Sequence, residues 1–128
     1  MRIAPLIARY LMALIFVVFG SNHLFNFLPQ PPPPPGVAGQ FFHILMSTGY
    51  LYVVGVCEVV PGILLLVNRF VPLALLILGP VIVNIFLTGI FIASAAIPAG
   101  IVLAILWVLA AWQVRAAFFP TVQPHVAA

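Results

Sequence analysis

The sequence predicts an all-α membrane protein, a four-transmembrane-helix antiparallel bundle with a short interfacial helix after a polyproline loop. Of the 128 residues, 66% are hydrophobic and 4% are charged, whereas a soluble domain carries about 25% charged residues. The apolar residues gather in four segments near the ~20 residues that a helix needs to cross the hydrocarbon core. Four arginines and one acid give a net charge of +3. These charges are too few to bind along a phosphate backbone, so nucleic acid is not an expected partner.

The chain is predicted to be a single membrane domain, residues 1–128, with four spans. Pro5, Pro72 and Pro98 stand where helices begin, a position that tolerates a missing N–H. The second and third connections are short, which favours antiparallel neighbours. The N-terminal segment is interpreted as a retained span, since no small-x-small cleavage site follows its apolar core. The predicted spans cover about residues 5–28, 49–67, 72–93 and 98–118.

An outer proline loop, residues 29–37, joins the first span to GVAGQFFHILMSTG, which is predicted to form the interfacial helix. Consecutive prolines favour a polyproline II rod. Because proline has no N–H to leave unpaired, such a rod is suited to cap the bundle or enter its outer mouth. A rigid spacer is the simpler interpretation. A PxxP ligand for a peptide-binding domain is disfavoured, because the membrane-anchored ends leave a partner domain little room.

Arginine positions predict the orientation. Arg2 and Arg9 flank the start of the first span, Arg69 lies between the second and third, and Arg115 lies near the end of the fourth. If both termini are cytoplasmic, all four arginines fall on the cytoplasmic side, as the positive-inside rule requires. The expected location is the bacterial inner (plasma) membrane, with the lipid bilayer as the first partner.

Glu58 is the strongest functional signal, because a carboxylate near mid-membrane must be paired, protonated or facing water. The sequence leaves three interpretations open: a structural ion pair with Arg9, a group that binds a ligand or handles a proton, and a protonated acid tolerated in place. Gly55 and Gly62 flank Glu58 on one helix face, and Gly20 lies on a matching face of the first span. These three glycines are predicted to let the two helices pack closely.

Further polar side chains are expected in the outer half of the membrane, beneath the proline loop. With Glu58 as its floor, they predict an outward-facing ligand pocket. Its other members are Asn22, His23, His43, Asn84 and Thr88. Ordinary interhelical hydrogen bonding, at about 1 kcal/mol each, is the alternative. Two histidines with one distant carboxylate make a poor metal site, so neither a metal ligand nor a catalytic residue is assigned.

Two long stretches resemble DoxX-like membrane proteins. ARYLMALIFVVFGSNHLFNF is similar to the opening of that family, and CEVVPGILLLVNRFVPLALLIL is similar to its second span, basic turn and third span. The positions that match the family pattern are Arg9, Gly20, Glu58, Gly62 and Asn84. The chain departs from the family pattern at two positions. It has Pro61 where a glycine or alanine is common, and it has Gly89 where a histidine is expected in this subgroup. The resemblance implies a four-helix membrane protein of a family named after a subunit of an archaeal thiosulfate:quinone oxidoreductase.

Three functions are therefore left open. The resemblance and the pocket favour association with membrane redox chemistry, through binding of a quinone or another small amphipathic molecule. The cofactor is otherwise unknown. The alternatives are a non-catalytic structural or assembly subunit of a larger membrane complex, and an oligomeric small-solute transporter. An autonomous enzyme is the least supported, because the sequence shows no nucleophile set, metal cluster or nucleotide loop.

Overall fold

The computed structural model describes residues 3–29 and 32–125, and within these ranges every regular element is helical. Short 3-10 turns follow the fourth and fifth α-helices, at Ser94–Ala96, Arg115–Ala117 and Phe119–Val122. The all-α class predicted from the sequence is therefore confirmed. The α-helices are α1 (Ile3–Phe25), α2 (Val37–Ser47), α3 (Tyr50–Leu66), α4 (Val71–Phe91) and α5 (Ile97–Gln113).

Three helical stretches are long and apolar enough to cross a membrane, namely α1, α4 and Ser94–Gln113. A fourth candidate arises if α2 and α3 are counted together, although their axes are bent by 81°. Alone, α3 has 17 residues and a length of about 26 Å. The described chain thus offers three to four candidate spans, which confirms an integral membrane protein.

The bend between α2 and α3 is built from Thr48 and Gly49. Both the backbone N–H and the hydroxyl of Thr48 donate to the carbonyl of Ile44, at 3.1 and 2.6 Å. Gly49 then adopts a φ of +77°, a left-handed conformation that glycine tolerates and that commonly ends a helix. The chain therefore turns sharply before α3 begins.

The helices pack as a ring in which α1 contacts α3 and α5, and α4 also contacts α3 and α5, while α2 packs mainly against α3. Large hydrophobic side chains also cover the outside of the helices, as expected where the surroundings are lipid. The enclosed apolar core comprises Met12, Ala13, Phe16, Leu65, Ala74, Leu75, Leu78, Ile82 and Leu103, with smaller residues at its rim.

A tight turn joins α3 to α4 and has a regular helix-ending geometry. The N–H of Arg69 donates to the carbonyl of Leu64 at 3.0 Å, while Asn68 has a φ of +56°. This is a Schellman-type end, in which asparagine is one of the few non-glycine residues that suit the left-handed position. Phe70 also has a positive φ, +52°, so the turn is held in an uncommon conformation.

The segment between α1 and α2 has no helix or strand in residues 26–29 and 32–34. Residues 30 and 31 of the predicted proline loop lie outside the described residues, and the polyproline II conformation stays a prediction. The end of the segment is packed tightly, because a Cβ at Gly39 would collide with the carbonyl oxygen of Pro34. The loop is thereby fixed against the first turn of α2.

Candidate functional site: a buried histidine–glutamate pair

The most polar feature of the helix core is the contact between His23 of α1 and Glu58 of α3. The His23 Nδ1 atom lies 2.8 Å from the Glu58 Oε1 atom. The two side chains differ in exposure, at 28% for His23 and 6% for Glu58. One partner is therefore enclosed by the helices, while the other presents part of its ring to the surroundings.

Close backbone approach between α1 and α3 brings the pair together. A Cβ at Gly20 would lie 2.9 Å from the Cβ of Glu58 and 3.0 Å from the carbonyl oxygen of Gly55. A Cβ at Gly55 would in turn lie 2.9 Å from the carbonyl oxygen of Gly20 and 3.2 Å from the Cβ of His23. Because both positions lack a side chain, the two backbones meet directly beside the pair.

A third glycine extends this contact toward the other end of α3. A Cβ at Gly62 would lie 2.8 Å from the Val17 Cγ2 atom and 3.2 Å from the carbonyl oxygen of Ala13. The antiparallel register of α1 and α3 follows from these contacts, because Gly20 faces Gly55 while Ala13 and Val17 face Gly62.

The His23–Glu58 contact is short but is not aligned as a hydrogen bond. Both Nδ1 and Oε1 are enclosed, and within the described residues neither atom has a hydrogen-bond partner of acceptable geometry. Buried polar atoms normally find such partners. The two atoms are therefore in close contact without an aligned hydrogen bond, and only the exposed part of the His23 ring is accessible from outside the helices.

The expected Arg9–Glu58 ion pair is not formed in the structure. Arg9 instead donates from Nη1 to the Asn68 Oδ1 atom at 2.9 Å, while Glu58 contacts His23. The register explains the difference: Gly20 is level with Glu58, and Arg9 lies eleven residues earlier, about 16 Å away along α1. A guanidinium does not reach across that distance.

The other predicted pocket residues lie apart from the pair. The Asn22 Oδ1 atom accepts the backbone N–H of Leu28 at 2.8 Å, so Asn22 holds the chain as it leaves α1. Asn84 is exposed on α4, Thr88 is half-buried, and His43 is exposed on α2. Within the described residues, no side-chain hydrogen bond joins these three to Glu58 or His23. Among the predicted pocket residues, Glu58 and His23 form the one close polar contact within the described residues.

Two open cavities lie elsewhere on the helices. The larger, about 440 Å³, is an apolar groove between α4 and α5 whose lining includes Gly79, Phe86 and Trp107. The smaller, about 240 Å³, is formed near the end of α5, with Trp112 and Arg115 in its lining. Neither cavity includes a residue of the predicted polar pocket. Within the described residues, no group of three His, Cys, Asp or Glu side chains is placed to hold a metal ion.

Two functional contacts were not anticipated from the sequence. His23 was assigned to the pocket but not to Glu58, although it continues the helix face of Gly20, three residues along. Asn68 was not singled out as the partner of Arg9. The sequence did hold one indication of this role: Asn68 follows directly after the predicted second span, and asparagine often stands at the end of a helix.

These features define an apolar, all-helical membrane protein with an enclosed acid–base pair between two tightly packed helices. The DoxX family model matches residues 4–89, more than half of the chain, and the chain belongs to the DoxX family. The matched region contains His23, Glu58 and the three glycines between α1 and α3. No curated protein and no solved structure matched the chain.

The fold explains the glycine at position 89, where a histidine was expected from the family resemblance. A Cβ at Gly89 would lie 2.8 Å from the Ile97 Cγ1 atom and 2.9 Å from the Ile97 backbone nitrogen. The start of α5 therefore occupies the space that a larger side chain needs. An imidazole at this position would require α5 to move away from α4.

Proposed function

We propose that the protein binds a quinone, or another small amphipathic molecule with a polar head, at the His23–Glu58 pair, in the service of membrane redox chemistry. The observation that carries the proposal is the 2.8 Å contact between an enclosed carboxylate and a partly exposed imidazole. A ligand head reaches the exposed part of the imidazole from outside the helices, while Glu58 holds the ring from within.

The chemistry of the pair suits a quinone head group. A quinone oxygen accepts a hydrogen bond from an imidazole N–H, and the reduced form donates one from its hydroxyl. An imidazole can serve both forms, because its ring nitrogens can donate or accept a hydrogen bond. Polar atoms that are enclosed without aligned hydrogen bonds are costly, so binding that realigns them is favourable.

The proposed setting is a four-helix antiparallel bundle in the bacterial plasma membrane. In this arrangement α1, α3, α4 and α5 cross the bilayer, α2 lies at the outer interface, and both termini are cytoplasmic. The arginines support this orientation, because it places all of them on one side. The 81° bend before α3 supports an interfacial α2. His23, at the last turn of α1, then opens toward the outer side.

The proposal is tested with the full chain in lipid nanodiscs and decylubiquinone as the probe. Glu58→Gln keeps the size of the side chain but removes the acid, and His23→Gln removes the imidazole. Each is expected to weaken binding by at least about tenfold, the loss of one hydrogen bond to a charged group. The measurement is the dissociation constant from isothermal titration calorimetry.

Asn84→Ala is the matched control, because Asn84 is an exposed polar residue of α4, whereas the pair is formed between α1 and α3. Its affinity is expected to equal that of the unchanged protein. Circular dichroism establishes that each variant is folded. Equal affinity in all three variants, or no binding to the unchanged protein, would contradict the proposal.

A structural or assembly subunit of a larger complex, or a homo-oligomer, is the second candidate. The observation that favours it is Asn84 itself, an amide that is exposed on α4. Polar side chains within a span ordinarily face protein, since lipid offers them no hydrogen bonds. The calorimetric experiment tests the first candidate, and the mass of the particle purified from membranes tests the second.

A further inference from the structure

Arg9 is a buried cation that has no anionic partner in the described chain. Only 7% of the residue is exposed. Its Nη1 atom donates to the neutral amide oxygen of Asn68, and its Nε atom is enclosed without a hydrogen bond. The ring of Tyr10 lies 4.7 Å from the guanidinium carbon. An enclosed guanidinium held only by neutral groups calls for a counter-charge.

No acidic side chain of the described residues supplies that counter-charge. Glu58 is the only acidic side chain in the sequence, and it contacts His23 at a level about 16 Å further along α1. An anion from outside the chain can therefore serve as the counter-charge of Arg9.

The α3–α4 turn adds a second positive feature beside Arg9. Asn68, to which Arg9 is bonded, stands three residues before Val71, the first residue of the 21-residue α4. This helix start has no acidic residue in its first turn and no side-chain cap. Pro72 lies in this first turn and has no N–H, so the helix start contributes mainly the positive end of its dipole, which favours a phosphate nearby.

We propose that a phosphate-bearing anion binds between the Arg9 guanidinium and the start of α4. Arg9 lies six residues after Ile3, so the site is about 9 Å below the start of α1. At this depth the phosphate can come from the headgroup of an anionic lipid or from free phosphate. The site is separate from the His23–Glu58 pair and does not depend on quinone binding.

The test uses the full chain purified in maltoside detergent, which carries no phosphate. Dioctanoyl phosphatidylglycerol, dioctanoylglycerol and inorganic phosphate are added separately. The melting temperature and the adducts seen by native mass spectrometry are measured for each. Phosphatidylglycerol is expected to raise the melting temperature and to bind as a single molecule, whereas dioctanoylglycerol, with the same tails but no phosphate, is not. Protection by inorganic phosphate as well identifies free phosphate as a source.

Arg9→Gln is expected to weaken phosphatidylglycerol binding by at least about tenfold. Arg115→Gln is the matched control, since Arg115 is exposed and bonded to the Trp112 carbonyl of the same chain segment; its binding is expected to be unchanged. If Arg9→Gln fails to fold, Arg9→Lys keeps the charge but loses the planar fork, and about threefold weaker binding is expected.

Three results would overturn the proposal. The first is equal protection by dioctanoylglycerol and phosphatidylglycerol. The second is unchanged affinity in Arg9→Gln, or in Arg9→Lys where only that variant folds. The third is a loss in Arg115→Gln as large as that in Arg9→Gln, which would place the phosphate at Arg115 instead.

Discussion

At the scale of single residues, the candidate site depends on the absence of a side chain at Gly20 and at Gly55. The two positions let the backbones of α1 and α3 meet, and His23 and Glu58 come within 2.8 Å beside that contact. A side chain at either glycine would separate the helices at the level of the pair. The packing of α1 against α3 therefore determines whether the proposed site at the His23–Glu58 pair can form.

Gly20→Ala is expected to destabilise the protein by about 1–3 kcal/mol, the usual cost of overpacking a tight core. The new methyl group would lie 2.8 Å from the Val59 Cγ2 atom and 3.0 Å from the Gly55 carbonyl oxygen, and the latter is backbone with little freedom to move. The measurement is the free energy of unfolding in a detergent titration with sodium dodecyl sulfate.

Gly79→Ala is the control for this substitution, because a Cβ there meets its nearest neighbour, Trp107, at an ordinary 3.7 Å. It is expected to leave stability unchanged or to raise it slightly, since alanine favours the helix. Equal unfolding free energies for Gly20→Ala and the unchanged protein would show that the helix contact is looser than described.

The sequence predicted that Glu58 needs a partner but named the wrong one for it. The need follows from one acid in an apolar segment, which composition alone reveals. The identity of the partner depends on the register between α1 and α3, and that register is set by where Gly20 meets Gly55. Long-range register leaves no local pattern in the sequence, so the sequence pointed to Arg9, a cation of the same helix, rather than to His23.

At the scale of helices, α4 and α5 are tied by a polar contact inside an apolar interface. The Trp107 indole N–H donates to the Leu75 carbonyl at 2.8 Å. Pro80 lies inside α4 and lacks the N–H that would bond the next carbonyl, that of Leu76. The Trp107–Leu75 hydrogen bond therefore lies next to the point where the proline interrupts the hydrogen bonding of α4, and it stabilises the helix there.

Trp107→Phe is expected to destabilise the protein by at least about 1 kcal/mol, because it removes the indole donor and replaces the indole with a smaller aromatic ring. Trp112→Phe is the matched comparison: Trp112 is 64% exposed, so a smaller change is expected. Unfolding free energies in the same detergent titration measure both. A larger loss for Trp112→Phe would mean that stacking on Arg115, rather than the Leu75 bond, stabilises this end of α5.

Helix type was predictable and helix ends were less so. The apolar runs and the prolines at 72 and 98 predict helices that begin near α4 and α5. In contrast, α5 ends at Gln113 and short 3-10 turns follow, although the apolar residues run on to Phe118. Hydropathy indicates whether a segment lies in an apolar environment but not how its backbone is hydrogen-bonded. It therefore does not predict the change from α-helix to 3-10 turns after Gln113.

At the scale of the whole molecule, the arginines and the helix order predict a single arrangement in the membrane. The four proposed crossings would return the chain to the side on which it began, and the proposed cytoplasmic termini follow from the positive-inside rule. The His23–Glu58 pair and the Arg9 site would then serve opposite faces of the bilayer, because they lie near opposite ends of α1.

This arrangement is checked by labelling intact cells with an impermeant maleimide in a Cys57→Ser background, which removes the native cysteine. Pro33→Cys, in the exposed outer segment, is expected to react in intact cells. His125→Cys, exposed near the C-terminus, is expected to react only after lysis. Reaction of His125→Cys in intact cells would place the C-terminus outside and would invert the assigned faces of both sites.

The shortness of α3 has a consequence for the lipid around it. With 17 residues against 23 in α1, α3 is about 9 Å shorter than the helix it packs against and falls short of the ~30 Å hydrocarbon thickness. A bilayer accommodates such mismatch by thinning locally. If α3 crosses the bilayer as proposed, headgroups and water would be drawn inward on its flank, and membrane thickness would then influence the hydration of the surroundings of Glu58.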